Sequence, residues 1–251
     1  CIGKLNEASN IYYCYDAVES RHFGERIFDV ENELLHKTDM VITTSDSLKN
    51  LKNQINSNCY VVKNGVDFPQ FNKYSKKEIY KRDNKLVGYI GSLDFRFDID
   101  CVEKAVKALP EYKFEFTGDL RNYHIKERLE IYPNVQFFPP ILANDVPKLL
   151  ATYDVGIIPY LANEANKNIY PLKINEYLAV GVPVVMTPFA KLDEFNKVIS
   201  VISESKSMEL LLKEEIENDS SERIALRVEF AKSNSWDSRA ALFSSIISSN
   251  I

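Results

Sequence analysis

The sequence has few of the residue types that build metal sites. It contains three histidines and four cysteines among 251 residues. The cysteines, Cys1, Cys14, Cys59 and Cys101, lie far apart and form no C-x-x-C pair, so we predict no metal site. Separated thiols of this kind are expected to stay reduced, which favours a cytoplasmic location.

Long apolar runs and a large excess of one charge are also missing. No segment approaches the roughly 20 apolar residues that a membrane-spanning helix needs. The formal net charge is −5, which gives no reason to expect binding to nucleic acid. The segment GYIGSL (88–93) lacks the spacing of a G-x-G-x-x-G loop, which argues against a nicotinamide dehydrogenase.

Short apolar segments alternate with helical patterns along the whole chain. Strands are predicted at 11–16, 40–45, 59–65, 85–92, 113–119, 134–141, 154–160 and 182–188. Helices are predicted at 26–38, 46–55, 101–110, 146–153, 171–180, 207–218, 221–233 and 235–247. This alternation predicts an α/β fold with parallel sheets, in which ligands bind beyond the carboxyl ends of the strands.

Two further patterns predict the buried face of the first helix and the position of a connection between domains. In the helix at 26–38, Ile27, Val30, Leu34 and Leu35 are expected to share the buried face. From 67 to 85 the apolar periodicity stops, which indicates a connection between domains.

The most informative segment is NIYPLKINEYLAVGVPVV (168–185). Pro171 favours the start of a helix, whose first N–H groups and dipole attract an anion. Lys173 lies in that first turn and can contact a phosphate, while Glu176 lies one turn further and can accept hydrogen bonds from a diol such as ribose. The alternative is a solvated Lys–Glu pair on an ordinary helix.

Several segments of the sequence resemble motifs of a known family, and they follow one another along the chain in the same order as in that family. PLKINEYLAVGVPVV is similar to the donor-site motif of GT-B glycosyltransferases, in particular glycosyltransferase family 4. VVKNGVD (61–67), LVGYIGSLDFRFDID (86–100) and SWDSRA (235–240) resemble other motifs of the same family, in the same order. The resemblance covers nearly the whole chain and points to the branch that acts in teichuronic-acid and exopolysaccharide pathways.

The resemblance implies a role for each residue that matches a family motif. Glu176 matches the glutamate that binds the ribose of the donor, and Leu172 and Lys173 match positions near its diphosphate. Arg96 falls where the family places a cation for the diphosphate, although it could instead simply pair with a neighbouring aspartate. Gly91 lets that loop approach the phosphates closely.

One family motif is incomplete in this sequence. The retaining enzymes usually carry a glutamate eight residues before the ribose-binding glutamate, and Asn168 occupies that position here. Retention or inversion of the anomeric configuration therefore stays open.

The resemblance also implies a domain organisation. Residues 1–66 are expected to be the last part of an N-terminal acceptor domain whose beginning is absent, since the chain starts at Cys1 rather than Met. Residues 67–235 are expected to be a complete Rossmann-like donor domain, and 236–251 a closing helix that returns to the first domain. Asp16, at the end of the first strand, is a candidate catalytic or acceptor-contacting residue.

The implied activity is transfer of a sugar from a nucleotide-diphosphate donor to a hydroxyl acceptor in cell-surface polysaccharide or glycan synthesis. Neither a metal nor a cofactor is expected besides the donor substrate. The acceptor is expected to be a saccharide or a lipid-linked saccharide, and KKEIYKR (76–82) is either a solvated linker or a contact with the inner face of the plasma membrane. The alternative function is a nucleotide-sugar-binding fragment that is inactive alone.

Overall fold

The structure is a computed structural model that describes residues 2, 4–18, 24–78 and 84–250. The chain divides into two compact units by its internal contacts. The first unit comprises Cys1–Gly65, Lys167–Pro171 and Trp236–Ile251, and the second comprises Val66–Asn166 and Leu172–Ser235.

The first unit contains a three-stranded parallel sheet in the order β1-β2-β3. Its elements in chain order are β1 (Ile11–Cys14), α1 (Arg26–Lys37), β2 (Met40–Thr43), α2 (Asp46–Lys52) and β3 (Cys59–Val61). The strand β2 lies within the strand predicted at 40–45, and all four of its residues are buried. Ser45 caps α2, since its side chain accepts a hydrogen bond from the Leu48 amide at 3.2 Å.

The buried face of α1 differs from the prediction, because Ile27 and Leu34 are only half-buried and Val30 is exposed. Val30 is 49% exposed, and Glu31 and Leu35 are the buried residues of the helix. The Glu31 carboxylate pairs with the Lys52 ammonium of α2 at 2.7 Å and accepts a hydrogen bond from the Tyr12 hydroxyl at 2.9 Å. A paired carboxylate can be buried, so Glu31 takes the place that hydrophobic periodicity alone assigns to valine.

The second unit contains a six-stranded parallel sheet in the order β6-β5-β4-β7-β8-β9. Its strands are β4 (Leu86–Ile90), β5 (Lys113–Thr117), β6 (Val135–Phe138), β7 (Val155–Ile158), β8 (Val184–Met186) and β9 (Ser200–Val201). Its helices are α3 (Phe68–Asn72), α4 (Ile99–Ala108), α5 (Tyr123–Leu129), α6 (Val146–Leu150), α7 (Leu172–Ala179), α8 (Met208–Glu217) and α9 (Ser221–Ser233). Short 3₁₀ turns occur at Ala143–Asp145 and Asp193–Phe195.

Two glycines on neighbouring strands make room for tyrosine rings. Gly88 of β4 and Gly156 of β7 are paired in register. A Cβ atom at Gly88 would lie 2.1 Å from the Tyr153 ring, and one at Gly156 would lie 2.6 Å from the Tyr177 ring. The Tyr177 hydroxyl also contacts the sheet backbone, because it accepts a hydrogen bond from the Ile90 amide at 3.2 Å. These contacts fix α7, which carries Tyr177, against β4 and β7.

The last helix, α10 (Trp236–Asn250), belongs to the first unit. Phe243 and Ile246 pack against a cluster that contains Met40, Ile42 and Val62. The helix therefore covers apolar side chains of β2 and of the segment that follows β3.

Two short elements were not predicted from the sequence, and a third adds detail to the predicted connection between domains. The helix α5 and the two-residue strand β9 are not predicted, because neither is long enough to show a clear period. The connection after residue 66 begins with the short helix α3, which Asp67 caps by accepting a hydrogen bond from the Gln70 amide at 3.1 Å. Residues 79–82 of the KKEIYKR segment lie outside the described residues.

Candidate functional site

Three loops meet at the carboxyl ends of β4, β5 and β7. The Leu93 amide donates to the carbonyl oxygen of Asp119 at 2.8 Å, which joins the loop after β4 to the loop after β5. On the other side, the Leu161 amide donates to the carbonyl oxygen of Arg96 at 2.7 Å. The loop that follows β4 is therefore held between its two neighbours by backbone hydrogen bonds.

Glycines make this close approach possible. Gly91 has a φ of +136° and Gly118 has a φ of +149°, values that residues with a side chain rarely adopt. A Cβ atom at Gly118 would lie 1.9 Å from the carbonyl oxygen of Gly91. A Cβ atom at Gly91 would lie 2.6 Å from the Lys173 ammonium nitrogen. The predicted site residues Gly91 and Lys173 are thus brought together.

Lys173 lies in the first turn of α7, and its ammonium group contacts two aromatic rings. The Nζ atom is 4.3 Å from the centroid of the Tyr89 ring and 5.2 Å from that of the Tyr160 ring. Burial opposes the charge, but the oxygens of Tyr160 and Tyr89 outweigh it and raise the pKa of Lys173 above its usual range. The ammonium group therefore stays charged at neutral pH.

Arg96 pairs with Asp94, which is the alternative that the sequence leaves open. The Nε atom of Arg96 lies 2.9 Å from Oδ1 of Asp94, and its Nη2 atom lies 2.6 Å from Oδ2. Burial would raise the pKa of Asp94, but the hydrogen bonds from Arg96 outweigh it and lower that pKa. The guanidinium carbon also lies 5.4 Å from the Tyr160 ring centroid, so Arg96 and Lys173 contact the same aromatic side chain.

Glu176 lies one turn after Lys173 on α7 and is partly accessible. Burial raises the pKa of its carboxyl group, and the charge of Lys173 partly opposes that shift. Leu172 is the first residue of the helix. The predicted donor-binding residues of the second unit therefore lie on α7 and on the loop after β4.

The arrangement suits an anion better than a neutral ligand. Lys173 and Arg96 supply two positive charges, of which Asp94 compensates one. The first turn of α7 adds backbone N–H groups and the positive end of the helix dipole. A ligand with a diphosphate group and a neighbouring diol would match the two cations and the carboxylate of Glu176.

Asp16 and Asn168 belong to the first unit. The Asp16 side chain is exposed and accepts a hydrogen bond from the Ala17 amide at 2.8 Å. Asn168 is 9% exposed. Its side-chain oxygen accepts a hydrogen bond from the Ser47 hydroxyl, and its backbone carbonyl accepts one from the Ser45 hydroxyl at 3.0 Å. The polar groups of Asn168 are thus bonded to the start of α2.

Two functional candidates do not emerge from the sequence patterns. Tyr89 and Tyr160 stand in strand-like segments, where an aromatic residue usually signals a core position. The structure confirms that both are buried, but it also places their rings against the Lys173 ammonium group. Tyr89 precedes the last residue of β4 and Tyr160 lies two residues after the end of β7, and no local pattern distinguishes either from a core position.

A cavity of about 450 Å³ opens between β5, the end of β6 and α6. It is lined chiefly by Thr117, Phe138, Ile141, Leu149 and Thr152, together with the side chain of Glu115. Burial raises the pKa of Glu115. The cavity is a further feature that sequence patterns did not predict.

The comparisons with known proteins identify the class of the chain. Residues 84–214 match the family described as glycosyl transferases group 1. This match covers more than half of the sequence, and the chain belongs to that family. The α/β fold with parallel sheets is that of GT-B glycosyltransferases.

Among curated proteins, TuaH of Bacillus subtilis (strain 168) is 28% identical to this chain over 181 residues. Its assigned name is that of a teichuronic acid biosynthesis glycosyltransferase. The match covers 68% of this chain and 46% of TuaH, so the chain spans a little less than half the length of that relative.

Among solved structures, HepE of Anabaena, in complex with UDP and glucose, superposes with a TM-score of 0.75 at 16% identity. That match covers 95% of this chain and 71% of HepE. The sucrose-phosphate synthase of Thermosynechococcus elongatus superposes with a TM-score of 0.72 at 16% identity, over 93% of this chain and 63% of the synthase. At these identities the likeness establishes the fold.

Neither a metal-binding cluster nor a membrane-spanning helix is found in the described part of the chain. Over residues 2, 4–18, 24–78 and 84–250, no group of three or more histidine, cysteine, aspartate or glutamate side chains is placed to hold a metal ion. Within the same residues, every helix is too short or too polar to cross a membrane.

Proposed function

We propose that this chain carries the donor site of a glycosyltransferase that moves a sugar from a nucleotide-diphosphate donor to a hydroxyl group. The observation that carries the proposal is the cluster of Gly91, Arg96 and Lys173 beside the start of α7. Two charged groups next to a helix N-terminus suit a diphosphate, and the family of the chain is one of glycosyl transferases.

Each residue has a role in this proposal. Lys173 and Arg96 bind the diphosphate and stabilise the negative charge that develops on it as the sugar leaves. Leu172 contributes the backbone N–H at the start of α7, and Gly91 keeps side-chain atoms out of the space beside the ammonium group. Glu176 accepts hydrogen bonds from the ribose hydroxyls. Because the cations supply the neutralising charge, we propose that transfer requires no metal.

The proposal for the acceptor is based on the name of one relative and on the exposed position of Asp16. The name of TuaH supports an acceptor in cell-surface polysaccharide synthesis, either a saccharide or a lipid-linked saccharide. A cytoplasmic location, with contact to the inner face of the membrane, suits such an acceptor. Asp16 is the proposed contact with the acceptor hydroxyl or general base, since it is exposed just after the end of β1.

Calorimetric titration of the 251-residue chain with UDP, GDP and ADP tests the donor site. We expect one of these nucleotides to bind, and Lys173→Met to weaken that binding by roughly 10-fold to 150-fold, because hydrogen bonds to charged groups contribute about 1.5–3 kcal/mol. Lys104→Met is the matched control, since Lys104 is an exposed lysine on α4. The proposal fails if none of the nucleotides binds or if the two lysine variants behave alike.

Transfer itself is tested with the corresponding nucleotide sugars. Release of the nucleoside diphosphate in the presence of an acceptor, unchanged by a chelator, would support a metal-independent transferase. Tight binding with no turnover on any acceptor would instead favour a nucleotide-sugar-binding chain that needs further protein for transfer. Glu176→Gln should weaken binding of the nucleoside diphosphate and of the nucleoside alike, since both carry the ribose.

A further inference from the structure

The ring of Tyr160 contacts both cations of the candidate donor site. Its ring centroid is 5.2 Å from the Lys173 ammonium nitrogen and 5.4 Å from the guanidinium carbon of Arg96. The residue follows β7 and is 4% exposed. One buried aromatic ring therefore contacts side chains that come from two different elements, α7 and the loop after β4.

The surrounding structure fixes the position of this ring. Tyr160 forms an antiparallel bridge with Phe97, and its ring packs against that of Phe189 at 5.0 Å. Its carbonyl oxygen accepts a hydrogen bond from the Thr187 hydroxyl. A ring held by its backbone and by a second aromatic side chain can serve as a rigid support for flexible ones.

An aromatic support has an electrostatic advantage over a charged one at an anion site. Two cations that bind the same diphosphate repel each other when the site is empty. Asp94 already pairs with Arg96 and compensates one of the two charges, and a second carboxylate that bound Lys173 would cancel the charge that the phosphates need. The negative face of an aromatic ring attracts a cation through its quadrupole and leaves the net charge of the site unchanged.

We propose that Tyr160 is a positioning residue that holds Arg96 and Lys173 together so that both meet the diphosphate of the donor. The inference rests on the proposed function of the site. Tyr160 acts through the two cations and need not touch the ligand. It should therefore influence the affinity for the diphosphate group and leave the affinity for the nucleoside unchanged.

The test replaces Tyr160 with ring analogues of nearly the same shape. Tyr160→Phe is the reference, and 3,4,5-trifluorophenylalanine at the same position weakens the ring quadrupole with little change in volume. Affinities for UDP and uridine are measured by calorimetry, or for GDP and guanosine if GDP binds the unchanged chain more tightly. Phe195→Leu is the control for loss of packing, because Phe195 is fully buried against Phe230 in the same unit.

We expect Tyr160→Phe to retain UDP affinity within about threefold. The trifluorinated ring should lower it by a further factor of about 5 to 10, because it weakens the cation–π contacts that hold both side chains. Uridine affinity should stay constant across the series. Tyr160→Leu should match the fluorinated variant or exceed its loss, whereas Phe195→Leu should change stability and leave UDP affinity unaltered.

Three results would overturn the inference. Equal UDP affinity of the phenylalanine and trifluorophenylalanine chains would exclude a role for the ring quadrupole. A parallel loss of uridine affinity would show general damage to the site. A loss in Tyr160→Phe as large as that in Lys173→Met would assign the effect to the hydroxyl. If the unchanged chain binds none of the nucleotides, the proposed function fails. If nucleotide affinity depends on Lys173 but does not change with the ring at position 160, only this inference fails.

Discussion

The substitution Gly91→Ala gives the sharpest test of how the site is built. Gly91 has a φ of +136°, and a Cβ atom there would lie 2.6 Å from the Lys173 ammonium nitrogen. The change therefore combines backbone strain with a steric conflict at one charged atom. All other residues of the site keep their side chains in this variant.

The two effects can be estimated separately. A residue with a side chain in such a backbone conformation costs on the order of 1–3 kcal/mol of folding free energy. To regain the 3.4 Å of ordinary contact, the Lys173 nitrogen must move by roughly 0.8 Å, which a flexible side chain can do at little cost in stability. Displacement on this scale weakens a hydrogen bond to a phosphate, so we expect about a 5-fold to 10-fold loss of nucleoside-diphosphate affinity.

Chemical denaturation and calorimetric titration measure the two quantities. Gly24→Ala is the matched control, because Gly24 has a φ of +73° and a Cβ atom added there would meet no other atom within 4 Å, so it reports backbone strain alone. Both variants should lose stability, but only Gly91→Ala should lose affinity. The loss should disappear when Gly91→Ala is added to Lys173→Met, because the displaced group is then already gone. A full additional loss in the double variant would refute the reasoning.

Further predictions concern stability. Hydrogen bonds, chiefly from Arg128, lower the pKa of Glu103 from 4.5 to about 2, so the stability that they give should be present above pH 4.5 and disappear as the pH falls towards 2; in urea titrations Glu103→Gln should reduce this loss. Arg227→Met should lower the free energy of unfolding by about 3 kcal/mol, because it leaves the largely buried Asp219 carboxylate without its partner at 2.6 Å. Ser45→Ala should cost about 1 kcal/mol by thermal denaturation, through loss of the helix cap, and Ser45→Gly should cost less.

Most strands and helices could be predicted because their sequences carry a clear period or end. The buried strand β2 and the glycine that ends β4 are visible in the sequence, and so is the proline before α7. For the helix α1, the prediction of its buried face was right for Leu35 and wrong for Val30, which is exposed. The burial of Glu31 depends on Lys52 of another helix, and no local period contains that information.

The candidate site was only partly predictable for a similar reason. Lys173, Glu176 and Gly91 stand in segments with family-like patterns. The contact of Tyr160 with both cations depends on the pairing of β7 with β4, although two strands separate them in the sequence. Strand order is a long-range property, so a tyrosine at the end of a strand cannot be distinguished locally from an ordinary core residue.

The short segment Lys167–Pro171 limits how this chain can be recombined with its relatives. It is grouped with the first unit although the second unit flanks it on both sides in the sequence. Its neighbours in the first unit include Asn64, whose side-chain amide donates to the Tyr170 carbonyl oxygen at 3.0 Å, as well as Ser45 and Ser47. A chimera made with a single junction near residue 66 would import a foreign version of this segment and lose these matched partners. A chimera that takes its second unit from a relative should therefore keep the native residues Lys167–Pro171 within the grafted sequence.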